Sequence, residues 1–463
     1  MIRSPPPARL VLVLVLACAA AACGGSATRP VGPPAPAPIA AAPLHAAALP
    51  PVLGVVRPER LARDVATLAA FGTRHTLADT TSSTRGIGAA RSWIATELGR
   101  VPGVQVTLEA HVVPADGKRL PHDTEIVDVV GVLPGAMPAA TNRRYYVVAH
   151  YDSRVADVMD AVHDAPGAND DASGVAVVLE LARALAGRSL DATIVFLLTA
   201  GEEQGLYGAR AHARAAREQH ADVRAVLNDD IVGDPSDPAG GRHDRAIRVF
   251  SGGIPAKATP DEIAEIRKLA AESDSPSREL ARFVADVARE DHLELEPRLV
   301  FRSDRFLRGG DHQAFLEEGF PAAVRFTTVT ETFARQHADV RLESGARVGD
   351  LPEFVDAEYM ARVARLEAAI LVHLALAPSS PPRALVDTSA LANDTLLRWD
   401  ASPEPDVAGY EVVWRATTEP DWTHLVDAGA RLEARLPVSK DDVLFGVRAY
   451  DRDGWRSPAT FAR

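Results

Sequence analysis

The sequence predicts an α/β fold, with a mostly parallel central sheet sandwiched by helices, followed by a small all-β sandwich. Three observations predict it. Apolar runs that are continuous rather than alternating recur at 145–149, 192–199, 223–227 and 322–326, as expected of strands covered on both faces. Amphipathic helical patterns, among them 58–71, 86–98 and 172–186, separate or precede these runs and supply the covering layers. After Pro378-Ser379-Ser380-Pro381-Pro382 the helical patterns cease, and short alternating runs bounded by Pro, Asp and Gly take over.

Taken in order, residues 1–22 open with Met1-Ile2-Arg3 and continue into an apolar run at 10–22, the layout of a secretory signal. That run is too short for a permanent membrane span, and no longer one follows. Cys23, after Ala20-Ala21-Ala22, resembles the box of bacterial lipoproteins, in which the Cys carries the lipid and becomes the first mature residue. Cys18 is a second such position, and plain secretion is the alternative. The resemblance implies a lipoprotein of the bacterial cell envelope, held at a membrane surface without a transmembrane helix. Residues 23–54 then comprise the anchor Cys and a Pro/Ala-rich, extended linker.

The large α/β domain is expected over 55–378, with a further strand at 104–113. The stretch 234–302 carries helical patterns at 260–271 and 277–290 and reads either as an elaboration near the cleft or as a surface insertion. Residues 379–463 form the second module, with strand-like runs at 395–399, 407–414 and 443–450. This module resembles a fibronectin type III domain with Trp399 as its core Trp, and Phe445 stands where many such domains place a hydroxyl-bearing Tyr. It is expected to pack on the large domain, dock substrate or bind cell-surface material.

Composition narrows the chemistry. At 463 residues the chain allows about two or three domains. Asp and Glu outnumber Lys and Arg by 63 to 50, a net charge of −13, which argues against nucleic acid as a partner. The two Cys both lie within the first 23 residues, so any metal bound by the folded body must use His and carboxylate ligands.

Five clusters supply such ligands, most of them directly after an apolar run. They are His150-Tyr151-Asp152-Ser153, Gly167-Ala168-Asn169-Asp170-Asp171-Ala172-Ser173-Gly174, Gly201-Glu202-Glu203-Gln204-Gly205, Asn228-Asp229-Asp230, and Arg335-Gln336-His337. Each alone has a plain structural reading; the Asp170-Asp171 pair, for example, suits a helix N-cap. Together they set paired carboxylates at successive strand ends, which is electrostatically costly without a cation. Two His with three carboxylates suit two divalent ions, zinc first, with manganese or cobalt as alternatives.

The order and context of these clusters, including Gly-Glu-Glu-Gln-Gly-Leu-Tyr-Gly from 201 to 208, resemble the M28 family of co-catalytic dizinc peptidases and aminopeptidases over about 57–377. The resemblance implies that His150 and Asp230 bind one Zn2+, that Glu203 and His337 bind the other, and that Asp170 bridges both. It implies Glu202 as general acid/base acting on a metal-bridging hydroxide, and Asp152 as the carboxylate orienting His150. The implied activity is removal of amino-terminal residues from peptides or proteins. Related alternatives are glutaminyl cyclase-like or carboxypeptidase-like chemistry, and a non-catalytic binding protein on the same fold. Gln336 departs from the family, several of whose aminopeptidases carry a Tyr just before the final His. His163 and His312 fall outside the ligand set, and Asp311-His312 matches a family loop before a helix that either supports the ligands from behind or is structural. The five Trp show no spacing suited to base stacking.

Overall fold

The computed structural model describes residues 49–463. The expected signal segment, Cys18, the anchor Cys23 and the linker up to residue 48 lie outside the described residues. Helices α1 (Leu49–Leu53), α2 (Pro58–Ala70) and α3 (Gly86–Gly99) lead into a hairpin of β1 (Gln105–Val113) and β2 (Thr124–Leu133). Then come β3 (Arg143–His150), α4 (Ala172–Leu185), β4 (Thr193–Thr199), α5 (Glu202–Gly205), α6 (Tyr207–Glu218) and β5 (Asp222–Asp229). They are followed by β6 (Ala246–Ser251), α7 (Pro260–Lys268), α8 (Pro276–Glu290), β7 (Glu296–Val300), α9 (His312–Glu318) and β8 (Ala323–Thr328). A short hairpin, β9 (Arg341–Glu343) with β10 (Ala346–Val348), precedes the long α10 (Ala357–Leu376).

Eight strands form one mixed sheet in the order β1-β2-β4-β3-β5-β8-β6-β7. Its central four, β4-β3-β5-β8, are parallel. The pairs β1-β2, β2-β4 and β8-β6 are antiparallel. Side chains alternate between two cores. Tyr145, Val147, Leu227 and Val324 meet α4 and α10 on one face, while Tyr146, Val148, Val226 and Ala323 meet Ala209 and Ala213 of α6 and Phe315 of α9 on the other. Because both faces are covered, the central strands read as unbroken apolar runs. Asp171 caps α4 by accepting from Gly174 N at 3.0 Å, and Asp356 caps α10 through Tyr359 N at 2.9 Å, each satisfying an amide that has no partner within its helix.

One expectation is corrected. The stretch 234–302 is neither a cleft elaboration nor a surface insertion in its main part, since it supplies β6 and β7 to the central sheet and α8 to the core beneath them. The strands escaped the apolar-run criterion because Arg248 interrupts β6, where it pairs with Glu331 at 2.9 Å, and because edge strand β7 buries little. In β2 the run is broken by Asp128, whose buried carboxylate accepts from Ala200 N at 2.9 Å.

Beyond residue 383, strands β11 (Ala384–Val386), β12 (Thr395–Trp399), β13 (Val407–Ala416), β14 (His424–Gly429), β15 (Glu433–Leu436), β16 (Val443–Asp451) and β17 (Thr460–Phe461) form two antiparallel sheets. Their orders are β11-β12-β15 and β14-β13-β16-β17. Trp399, Trp414 and Phe445 lie in their shared core. This module is seated on the face of α8. Trp422 Nε1 donates to Glu279 Oε2 at 3.0 Å, and Arg282 Nε donates to the Pro420 carbonyl at 2.6 Å. Arg415 pairs with Asp274 at 2.6 Å with both side chains almost wholly excluded from water, and the Trp455 ring stands edge-on to His373 at 4.8 Å. Without Arg415, buried Asp274 and Glu279 would be left to share the single guanidinium of Arg282, which lies 3.5 Å from Asp274, and an under-compensated buried charge is costly. An Arg415→Met protein is therefore expected to be destabilised by about 3–5 kcal/mol in urea unfolding, and a loss below about 1 kcal/mol would show that this contact carries little.

Candidate metal centre

Four strand ends converge on one side of the sheet, where ligands bind in open α/β folds. His150 is the last residue of β3, the turn after β4 delivers Glu202 and Glu203, Asp230 follows β5, and His337 lies on the loop after β8. Asp170 immediately precedes Asp171, the cap of α4. The two adjacent carboxylates thus divide the work: one closes the helix and the other turns into the centre.

Two triads form there. His150, Asp170 and Asp230 place one ligand atom each within 4.8 Å of one another, as do Asp170, Glu203 and His337. Asp170 belongs to both and presents a different oxygen to each. Its Oδ1 lies 3.2 Å from His150 Nε2 and its Oδ2 2.9 Å from His337 Nε2. His150 Nε2 is 3.9 Å from Asp230 Oδ1, and His337 Nε2 is 2.8 Å from Glu203 Oε1. Ligands about 2.0–2.1 Å from a tetrahedral zinc ion stand about 3.3 Å apart, so these separations fit such an ion.

The donor chemistry agrees. Glu203 Oε1 and His337 Nε2 are buried and face only each other and Asp170 Oδ2. Burial opposes charge on the imidazoles, yet surrounding carboxylates override it. They hold His150 protonated well above its ordinary range and push His337 up to about 10. The carboxylate cage thus draws protons to positions where a cation would sit.

Neighbouring residues hold these candidate ligands in place. His150 Nδ1 lies 3.1 Å from the Asp152 carbonyl oxygen. The Asp152 carboxylate accepts from Thr76 Oγ1 at 2.9 Å and from the amides of Glu202 and Glu203 at 3.3 and 3.2 Å, tying His150 to the turn of the two glutamates. Asp350 accepts from the amides of Asn169 and Asp170 at 2.8 and 2.7 Å. Gln336 Nε2 donates to Asp170 Oδ2 at 2.9 Å, so the residue that departs from the family pattern steadies the shared carboxylate. Arg325, wholly buried on β8, pairs with Asp230 at 2.8 Å. Arg154 donates to Glu203 Oε2 at 2.9 Å, and its Nη2 lies 2.6 Å from His337 Nδ1. His337 and Ile231, next to Asp230, occupy left-handed backbone conformations, φ 55° and 64°, a strain tolerated where a site demands it.

Glu202 stands beside the triads and belongs to neither. Desolvation raises its carboxyl well above the usual range, an effect opposed by His150 and reinforced by Asp230 and Glu203. His163 is exposed and paired with Asp160 at 2.6 Å. His312 is buried, donates to the Ser303 carbonyl at 2.7 Å and is pushed by burial down to about 4, which keeps it neutral. Asp311 accepts from Thr199 Oγ1. Sequence reasoning missed Thr76, Arg154, Arg325 and Asp350; among these only Arg154, four residues past His150, offered a local signal.

A sequence profile described as Peptidase family M28 matches residues 128–339, a span that includes both triads, Asp152 and Glu202. The chain is 46 % identical over 399 residues to a probable zinc metalloprotease of Leptosphaeria maculans, covering 85 % of this chain and 92 % of that protein. It belongs to peptidase family M28. A second relative of this M28 chain, a probable zinc metalloprotease of Pyricularia oryzae, is 46 % identical over 421 residues, covering 88 % of this chain and 83 % of that one. Among solved structures, the LapA aminopeptidase of Legionella pneumophila shares the fold of this M28 chain. Its TM-score is 0.51 at 16 % identity, over 73 % of this chain and 77 % of that one.

Proposed function

We propose that this M28 peptidase is a two-zinc exopeptidase that removes amino-terminal residues. The observation that carries the reading is the sharing of Asp170 by two complete triads, with Glu202 beside both and bound into neither. The relatives, described as probable zinc metalloproteases, support zinc as the metal. His150, Asp170 and Asp230 would hold one ion, and Asp170, Glu203 and His337 the other. Bound zinc supplies Lewis acidity that makes water nucleophilic near neutral pH and polarises a scissile carbonyl.

The chain's own residues do the rest. Glu202 accepts the proton of the attacking water and returns it to the leaving nitrogen; its desolvated carboxyl is suited to holding that proton between the two steps. Asp152, fixed by Thr76, keeps His150 aimed at its site, and Gln336 holds the Asp170 oxygen that faces His337. The surrounding carboxylates favour a substrate end that carries a free α-ammonium over a blocked one.

The test uses zinc-loaded protein against free and N-acetylated aminoacyl amides and dipeptides, before and after chelation and zinc add-back. Release restricted to free amino termini, lost with chelator and restored by zinc, is the expected result. Cleavage of blocked substrates would move the chemistry toward a carboxypeptidase. Cyclisation of amino-terminal Gln without peptide cleavage would indicate a glutaminyl cyclase, and silence on every substrate a binding protein.

A further inference from the structure

The arginines around the metal centre differ in one respect. Arg154 is paired with Glu203, Arg325 with Asp230, Arg335 with Asp234, and Arg305 and Arg308 with Glu331. Arg119 has no carboxylate partner among the described residues. The one hydrogen bond of its side chain runs from Nη1 to the carbonyl oxygen of Glu203 at 2.7 Å, and the side chain is half-buried.

Arg119 is also held in advance. It sits on the loop between β1 and β2, where Asp116 Oδ1 accepts from the amides of Lys118, Arg119 and Leu120 at 2.8 Å each. Tyr207 of α6 donates to the other Asp116 oxygen at 2.8 Å, and Leu120 is wholly buried, so the loop is pinned on both sides of Arg119. From there Arg119 lines a cleft of about 330 Å³ together with Glu202, Gly205, Leu206 and Gly309. The cleft wall that carries the proposed proton donor therefore also carries an unneutralised guanidinium.

We propose that Arg119 reads a carboxylate on the leaving residue of the substrate. The inference rests on the aminopeptidase reading above, because that reading places the leaving nitrogen within hydrogen-bond reach of Glu202, about 2.6–3.2 Å. The leaving residue's own α-carbon and carboxylate then lie only one or two bonds further into the cleft that Glu202 and Arg119 share. A carboxylate entering there lies beside Glu202, and Arg119 is the one cationic side chain that lines the cleft. The guanidinium fork suits such a carboxylate bidentately. The anion has two sources of the same chemistry, the carboxyl terminus of a dipeptide or the side chain of an Asp or Glu in second position.

The experiment measures kcat/KM on two matched pairs, leucyl-glycine against leucyl-glycinamide, and leucyl-aspartate α-amide against leucyl-asparagine α-amide. The parent enzyme is expected to favour the charged member of at least one pair by about 10- to 100-fold, the range of a charge-assisted contact. A preference confined to the first pair marks the enzyme as a dipeptidase, and one confined to the second as selective for an acidic second residue. Arg119→Gln is expected to bring the ratio within about 2-fold and Arg119→Lys to restore part of it, with zinc content and melting temperature those of the parent. Equal rates within each pair for the parent, or a preference that survives Arg119→Gln, overturns the role of Arg119 while leaving the peptidase reading intact. No hydrolysis of any of the four by zinc-loaded protein overturns that reading and this inference with it.

Discussion

The Glu202→Gln protein is expected to bind metal as the parent does and to turn over peptide about 10²–10⁴-fold more slowly. The amide keeps the size and most of the contacts of the carboxyl and loses only its capacity to take a proton. Both triads are complete without Glu202, and its amide hydrogen bond to Asp152 comes from the backbone, so the turn survives the substitution. Metal content and kcat measured on one preparation separate binding from chemistry. A variant that loses metal in step with activity would make Glu202 a ligand and sink its role as proton carrier.

Asp170→Ala is expected to empty both metal positions. Asp170 contributes one oxygen to each imidazole-bearing triad, so its loss leaves two incomplete pairs of ligands facing each other. Affinity at each position should fall by more than the roughly 10–100-fold that follows removal of an outer hydrogen-bond partner of a ligand. His150→Ala and His337→Ala are the comparators, since each lies in one triad only and should release one ion. Metal counted per chain after dialysis reads all three. An Asp170→Ala protein that retains one tightly held ion would show that the triads do not share this carboxylate.

Much of the centre was legible in the sequence because its residues stand in contiguous motifs at the ends of buried strands. His150 follows an apolar run, and Glu202 and Glu203 follow another. Their convergence is a consequence of parallel strands whose carboxyl ends share one edge. What the sequence concealed are contacts made by residues far apart along the chain. Thr76 meets Asp152 across 76 positions and Asp350 meets Asp170 across 180. Arg325 reads as a flaw in the run 322–326 until the fold sets it against Asp230. The same cause hid β2 and β6, whose runs are broken by Asp128 and Arg248, charged residues that the tertiary structure buries or pairs. Local patterning registers a charge as an interruption, and only the assembled sheet shows the charge to be the point of the strand.

The seam between α8 and the trailing sandwich limits how this protein can be recombined. Its Asp274, Glu279, Arg282 and Arg415 are all sealed from water, so neither half presents a finished surface on its own. A catalytic half cut after α10 and fused to another carrier would expose Asp274 and Glu279 with Arg282 as their one remaining counter-charge, and a foreign sandwich would have to supply the place of Arg415. Exchange of either module is therefore expected to succeed only when the facing surface is redesigned with it.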